Sequence, residues 1–508
     1  MWFQPNSNSR LTSSIILLVN TCLLLFISWL VIKVGLVSSA VAIWIISFVI
    51  LSWLFLSRWI NTINIGYIVI LGVILRLIWC FTVYTQPYGD FYGYWLGAEK
   101  MLSNIIPFQT KSPLTVIFYG IVTYICNKQI WGIYIANSLL GGLQIWLVYK
   151  ISANITSDRF SSRMAAILYA LYPVAITFSA IVSSEASMMT LLLLAVYLLC
   201  KKFCLDYSSD NTNVYGMKNF LLIMLISLCL AGAYLARNTA GLMLGLFILS
   251  IPLFSTKRLA GRFLDVLILV LFFFVFMSPQ IASNYHYYKK FSLESQHLSG
   301  IVLLNGVSRR TSGVIDPEKF KQVLTELGYS NDDLKHSKAA VDAVSQRARQ
   351  MAINDIMSDK IGFLKFALTD KFRKMWGNEN YSFFITYKSK IFDEEKNQIA
   401  MKKIDHLSTQ YYLALWILAL FSILFAYFKK NIMISIMSGY ILLTFLLHIF
   451  FEVSARYHLP VMPYVCIMAS YCFSQGYISE LSFKKKWQYI QIFVSNLLRL
   501  RKSESATN

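Results

Sequence analysis

The feature that most constrains this chain is its succession of apolar runs, each roughly 17–25 residues long and nearly free of charge. A helix of about 20 residues crosses the ~30 Å hydrocarbon layer of a bilayer, where every backbone N–H and C=O must be bonded within the segment. Runs of this kind read as membrane-spanning helices. They lie near 11–32, 35–56, 64–85, 130–150, 163–181, 184–203, 219–235, 237–254, 263–279, 409–427, 432–451 and 457–478, twelve in all. The expected fold is therefore an all-α polytopic membrane protein. Composition agrees, with 57% apolar and 14% charged residues among 508, because soluble domains run nearer about 45–50% and 25%. Pro173 falls inside the fifth run and predicts a kink or break there. The run 113–126 is too short to span and reads as a re-entrant or interfacial piece. The first run, 11–32, exceeds the roughly 7–15 residue apolar core of a cleavable leader and is expected to stay as a span.

Charge sets the expected orientation. There are 46 Lys and Arg against 25 Asp and Glu, a formal net charge of +21. In a membrane chain such an excess marks the cytoplasmic loops, so no nucleic-acid partner is inferred. Arg10, Arg58, Lys150/Arg159/Arg163, Lys201/Lys202/Lys218, Lys257/Arg258, Lys429/Lys430 and Lys484–Lys486 fall on alternate loops. Both termini are then cytoplasmic, as an even number of spans requires. The outer face holds the segment 86–129, turns near 182 and 236, the loop 280–408 and the turn 452–456. The expected parts are an N-terminal membrane module over 1–279, a mainly helical outer loop domain over 280–408, C-terminal spans over 409–480 and a basic tail over 481–508. The 280–408 loop carries 20 basic and 15 acidic residues, and a loop this long crosses largely regardless of charge. Within it Ile361, Leu364, Leu368, Phe372 and Met375 recur at helical spacing, predicting a basic amphipathic helix that lies on the membrane or packs on the loop's own core. The eight cysteines lie in or beside apolar runs at spacings that suit neither a disulfide framework nor a zinc site.

Because carboxylates are scarce outside the long loop, they locate the candidate chemistry. Asp158, Asp206, Asp210, Asp265, Glu480 and Glu504 fall on the cytoplasmic side and read as solvated loop charges. Asp90, Glu99, Glu185 and Glu452 fall on the outer side, where charges near a bilayer tend to be paired or functional. Asp90 opens a segment in which Asp90, Tyr94, Ala98 and Leu102 stand four apart, one stripe of a helix. An Asp there can simply cap the helix. Three further outer motifs accompany it: Ser183-Ser184-Glu185, the short turn Ala236-Arg237-Asn238-Thr239, and Ala455-Arg456-Tyr457-His458-Leu459-Pro460 running on to Pro463. Each alone could be an interfacial anchor.

Together these motifs resemble the GT-C superfamily of polyprenyl-phosphate-sugar-dependent glycosyltransferases, most closely the branch of protein O-mannosyltransferases and the lipid A aminoarabinose transferase. The resemblance covers roughly 64–255 and 409–478. It implies transfer of a sugar from a polyprenyl-phosphate donor to a hydroxyl on a glycan, lipid or protein acceptor, at the outer face of a bacterial plasma membrane. There are departures. The stretch 134–141 lacks an Arg found there in many members, Phe91 stands where some have a second acid, and no Asp-x-Asp pair is present. A divalent metal is possible but not indicated, and no cofactor is expected.

On this reading Asp90 is the base that takes the acceptor proton. Arg237 and Arg456 hold the departing lipid phosphate, with Lys100, Lys111 and His458 in reserve. Glu185 is expected to orient Arg237. Glu452, four residues after His448 and four before Arg456, is expected to pair with Arg456, a His448/Glu452 metal pair being the alternative. Arg76, mid-span, would meet the phosphate or a buried carboxylate. Tyr94, with Tyr84, Tyr88, Phe91, Tyr92 and Trp95, could stack on a sugar or belong to an interfacial belt. A lipid-linked glycan flippase and a polysaccharide polymerase or ligase are the alternative functions. A transporter should show midplane polar groups, and Arg76 alone answers that description.

Overall fold

The computed structural model describes residues 10–34, 40–101, 108, 110–208, 216–294, 298–388, 395–429, 431–471 and 473–474, and every regular element among them is helical. Among the described residues, eight helices are able by length and apolarity to cross a membrane: Val41–Ile60, Ile65–Thr82, Trp131–Thr156, Glu185–Tyr207, Met217–Ala236, Leu259–Tyr288, Ile399–Leu424 and Ile432–Phe450. A ninth candidate is the pair Arg159–Ala170 and Pro173–Ala180, bent by 55° where Pro173 was expected to interrupt it. Proline removes the donor the helix needs and holds the preceding Tyr172 extended, at φ −66° and ψ 113°.

The expected count of twelve is not reached among the described residues. The first apolar run is a helix over Arg10–Val34, 25 residues and so long enough to cross, whereas Asn238–Phe254 is a shorter apolar helix that begins as a tight turn at Asn238–Ala240. The run 457–478 is divided. Ala455–Val461, with Pro460 inside it, coils as a 3-10 segment before the short helix Met462–Tyr471. Apolarity reports what a segment can bury, not whether its backbone is spent on a turn. Pro113–Ile125 is a short apolar helix, as expected for a piece too short to span.

The burial pattern is that of a bundle solvated by hydrocarbon. Trp131–Thr156, Glu185–Ser208 and Ile432–Phe450 are mostly buried and form the centre. Leu259–Tyr288, Ile65–Thr82 and Val41–Ile60 instead turn Phe263, Leu267, Ile70, Ile78, Trp44 and Phe55 outward. A soluble protein would not leave such continuous apolar faces in water.

The helices Ser299–Val307, Pro317–Leu327, Lys338–Ser358 and Lys360–Phe366 enclose a second core of Leu304, Val307, Val323, Leu324, Val344, Ala348, Ala352, Phe363 and Phe366. The amphipathic face expected over 361–375 is corrected here. Ile361 and Leu364 are exposed, while Phe363, Phe366, Phe372, Met375 and Trp376 are buried. A π-turn at Ala367–Lys371 adds a residue to the helical turn and rotates the face that follows it.

The acids assigned to solvated loops are also corrected where described. Asp158 caps the helix beginning at Arg159, accepting from the Ser161 N–H at 2.7 Å. Asp206 and Asp265 are buried in one network. Lys202 meets Asp206 at 2.6 Å and Asp265 at 2.9 Å, Lys257 meets Asp265 at 2.9 Å, and Ser255 and Asn219 donate to the two carboxylates at 2.7 and 3.1 Å. These contacts tie Glu185–Ser208, Met217–Ala236 and Leu259–Tyr288 together. Removing one partner would leave a buried charge uncompensated, a loss of about 3–5 kcal/mol. Asp210, Glu480, Glu504 and the tail 481–508 lie outside the described residues.

Candidate functional site

At the end of the bundle opposite that network, four separate segments bring their rare charges together. Gly89, at φ +58°, turns the chain into the helix Asp90–Met101, so that Asp90 is its first residue. Of the N–H groups that such an Asp could cap, that of Tyr92 already donates to the carbonyl of Gly89. The carboxylate is spent elsewhere. Its Oδ2 accepts from Arg456 Nη2 at 2.9 Å and meets Lys111 Nζ at 3.1 Å. Burial alone would raise the Asp90 pKa, but Lys111 and Arg456 outweigh it and hold the group down at about 2.

Arg456 sits on the 3-10 segment that replaces the start of the expected last span. Its guanidinium lies 5.1 Å from the ring centres of Phe91 and Tyr381 and 5.2 Å from that of Tyr457, a box of aromatic faces. Burial opposes its charge, yet Tyr457, Glu185, Tyr381 and Asp90 together hold it protonated, above its ordinary range. Arg237 ends the helix Met217–Ala236 and reaches the Tyr457 ring at 4.7 Å, so two guanidiniums share one aromatic ring. Arg237 also forms an ion pair with the buried Glu185, the contact expected of these two span ends. Tyr94 is buried one helical turn below Asp90 and lies within electrostatic reach of Arg237.

Other expected members stand apart. Lys100 is exposed at the far end of its helix, roughly 15 Å along the axis from Asp90 at 1.5 Å per residue. His458 is fully buried and turned away from Asp90, its Nδ1 against the Met375 carbonyl at 2.5 Å and its Nε2 against Glu379 at 3.0 Å, stacked on Trp376. Glu452 does not pair with Arg456, because the helix expected to carry both ends at Phe450. Its carboxylate accepts from Tyr457 Oη at 3.1 Å and Asn305 Nδ2 at 3.0 Å. His448 bonds the Glu452 backbone carbonyl at 2.8 Å rather than joining its carboxylate in a metal pair. Among the described residues no group of three His, Cys, Asp or Glu is placed to hold a metal. Leu102, the last member of the stripe, lies outside the described residues.

Arg76 meets neither a phosphate-sized opening nor a carboxylate. Its Nη1 donates to the carbonyls of Gly72 at 2.9 Å and Ala170 at 3.4 Å, while Nε and Nη2 are buried without a partner. It lies against Gly141, where a Cβ would fall 2.4 Å from Arg76 Nε. Both Arg76 and Glu185 line one small cavity of about 20 Å³, with Asn137, Gln144 and Ser179 among apolar neighbours such as Phe178 and Met189.

Two parts of the site had no distinct signal in the sequence. Tyr381, one wall of the Arg456 box, comes from the 280–408 segment as one of many loop tyrosines. Lys371 reaches the C-terminus of Ile432–Phe450 and donates to the carbonyls of Ile449 at 2.7 Å and Phe451 at 2.9 Å. Burial brings its ammonium down to about 7, against the opposing pull of Glu452. With Glu452 N–H on Val302 O at 3.1 Å and Val453 N–H on Gly313 O at 2.8 Å, it anchors the strand of chain leading into Arg456.

Residues 110–282 match a family model described as dolichyl-phosphate-mannose-protein mannosyltransferase. That family is a glycosyltransferase family of GT-C type, the superfamily the motifs resemble. The matched segment includes Lys111, Glu185 and Arg237 and excludes Asp90 and Arg456. No curated protein matches the chain. Among solved structures, the archaeal oligosaccharyltransferase AglB from Archaeoglobus fulgidus, in complex with an inhibitory peptide and a dolichol-phosphate, is similar at TM-score 0.49 and 12% identity, over 87% of this chain and 52% of AglB. ArnT from Cupriavidus metallidurans, bound to undecaprenyl phosphate, is similar at TM-score 0.31 and 11% identity, over 82% of this chain and 79% of ArnT. The chain thus spans little more than half the length of AglB. Likeness at these scores transfers no chemistry.

Proposed function

We propose that the chain is an integral-membrane glycosyltransferase that moves a sugar from a polyprenyl-phosphate-linked donor to an acceptor hydroxyl, at the outer face of a bacterial plasma membrane with both termini inside. One observation carries the proposal: Asp90, Arg456 and Lys111 meet at 2.9 and 3.1 Å, with Arg237 across the shared Tyr457 ring. A carboxylate among several fixed cations is what transfer from a sugar phosphate asks for. The acceptor oxygen attacks the anomeric carbon as its proton passes to Asp90, and the bond from that carbon to the phosphate oxygen breaks. The electron pair leaves with the lipid phosphate, whose charge Arg456, Arg237 and Lys111 receive. The guanidinium fork suits paired phosphate oxygens better than an ammonium does.

The resting ion pairs have a consequence for the base. A carboxyl held at about 2 is ionised at neutral pH but a poor proton acceptor. Donor phosphate competes for the same two cations, and drawing them off raises the basicity of Asp90 at the moment it is needed. Glu185 keeps Arg237 in place from below. The family described by the match over 110–282 supports the donor class, a lipid phosphate sugar, while acceptor and sugar remain open to assay. Purified protein incubated with a radiolabelled polyprenyl-phosphate sugar should release or transfer the sugar and yield polyprenyl phosphate. A donor that crosses the bilayer with its sugar–phosphate bond intact would refute the proposal in favour of a flippase.

A further inference from the structure

A second site lies at the far end of the bundle, unconnected with the chemistry above. Glu185 and Lys201 stand on one helix, roughly 24 Å apart at 1.5 Å per residue. Beside Lys201 a groove of about 750 Å³ opens between the last turns of Trp131–Thr156 and Glu185–Ser208 and the first turns of Met217–Ala236. Its floor is apolar, with Leu221, Leu222 and Leu225 leading inward from Lys218 along Met217–Ala236 and Leu205 one turn beyond Lys201 on the facing helix. Its mouth is polar and basic, with Lys201, Lys218, Asn154 and Ser157. We infer that this groove binds an anionic glycerophospholipid from the leaflet on that side, its phosphate between Lys201 and Lys218 and an acyl chain along the leucines.

Charge complementarity argues for that occupant. The described carboxylates at this end of the bundle are buried and engaged, Asp206 and Asp265 by Lys202 and Lys257, and Asp158, next to Ser157, by the Ser161 N–H. Lys201 and Lys218 are exposed, and Lys201 has its ammonium 5.6 Å over the Tyr197 ring. The cluster therefore presents positive charge outward while its negative charge is neutralised within. Basic pockets between spans at a membrane surface take lipid head groups. Free phosphate has no use for the leucine floor, and a zwitterionic head group brings its own cation into a basic mouth. An anionic head with a hydrocarbon tail satisfies both halves. Ser157 contributes from the left-handed end of its helix, at φ 54°, and Asn154 donates to the Lys150 carbonyl at 2.9 Å, so its side-chain oxygen faces no demand from that bond.

The test uses the full chain in a neutral detergent, with native mass spectrometry counting bound molecules as phosphatidylglycerol, phosphatidylcholine or inorganic phosphate is titrated in. Phosphatidylglycerol should bind at one site in preference to the other two. Lys201→Gln with Lys218→Gln should weaken it roughly thirty-fold, because each lysine near an anionic lipid surface contributes about 1 kcal/mol. Lys321→Gln with Lys360→Gln, exposed in the 280–408 segment, should change nothing. Equal binding of phosphatidylcholine, or binding unmoved by the Lys201/Lys218 pair of changes, would overturn the proposal. So would binding that appears only after Asp210→Asn, which would assign the lysines to the chain's own 209–215 linker.

Discussion

Replacing Asp90 by Asn separates a proton acceptor from a structural ion pair. The substitution keeps the size of the side chain and removes its charge. Its effect on folding should be modest: the pair to Lys111 is half open to solvent, with side-chain exposures of 51% for Lys111 and 35% for Asp90, and the buried Arg456 keeps Tyr457, Glu185 and Tyr381 around its charge. Exposed ion pairs of this kind contribute about 0–1 kcal/mol. No capping loss adds to that, since Asn caps about as well as Asp. The chemical effect should be far larger. A general base contributes roughly 10²–10⁴-fold, or about 2.7–5.4 kcal/mol at 1.36 kcal/mol per tenfold. The signature is thus a disproportion, with turnover nearly abolished and stability almost unmoved. Donor affinity gives an independent reading. Asn leaves Arg456 and Lys111 without their carboxylate, so the donor phosphate meets less competition and should bind as well as before or better. Turnover, donor binding and thermal midpoint would be measured for Asp90→Asn and Asp90→Ala in one nanodisc preparation. An Asn variant within about three-fold of wild-type turnover would remove Asp90 from the mechanism, given the range expected of a base.

Four further outcomes follow from the same geometry. Arg456→Lys should raise the donor KM about ten- to a hundred-fold, the loss of a charge-assisted contact of roughly 1.5–3 kcal/mol, with Arg237→Lys in the same direction; unchanged donor kinetics in both would make these residues anchors only. His458→Ala should lower the thermal midpoint by leaving the Met375 carbonyl unsatisfied, at about 1–3 kcal/mol, and by taking one of two partners from the buried Glu379, which keeps Tyr172, and should leave the donor KM near wild type; a KM effect without a stability effect would restore it to the phosphate site. Lys371 has its folded pKa lowered to about 7 from 10.5, so the unfolded chain binds more protons between those values and stability should climb with pH across that window, by up to about 1.4 kcal/mol per pH unit. Denaturation of wild type and Lys371→Met from pH 6 to 10 would check this, and equal slopes would contradict it. Cysteine at Ser330 should react with an impermeant thiol reagent in intact cells and cysteine at Ala260 should not, in a background without native cysteines; the opposite labelling would invert the orientation.

What could be read from the chain, and what could not, divides along one physical line. In a sequence with so few acids, an Asp at a span end is conspicuous, which singles out Asp90, while Arg456 is singled out by its motif and the resemblance; that the two meet across 366 residues was not expected. Scarcity finds the participants but does not supply the path of the backbone between them. Glu452 was expected on a helical face with Arg456, yet the helix stops at Phe450, Lys371 caps it, and the segment beyond is held to Val302 and Gly313. Those partners come from the 280–408 segment, whose composition is too ordinary to mark them. His458, held in reserve as a phosphate partner because it follows Arg456 in the motif, is instead bonded to Met375 and Glu379. The π-turn at Ala367–Lys371 likewise rotates a face that periodicity counts as continuous. At the other end of the bundle the error has the opposite sign: Asp206 and Asp265 sit among basic loop residues and look solvated, but Lys202 lies one helical turn before Asp206 and is fully buried with both. A charge count cannot distinguish an acid that water neutralises from one that a buried lysine neutralises. The i,i+4 spacing of Lys202 and Asp206 is the signal that could have, because it places both on one face of a helix that the apolar pattern already buries.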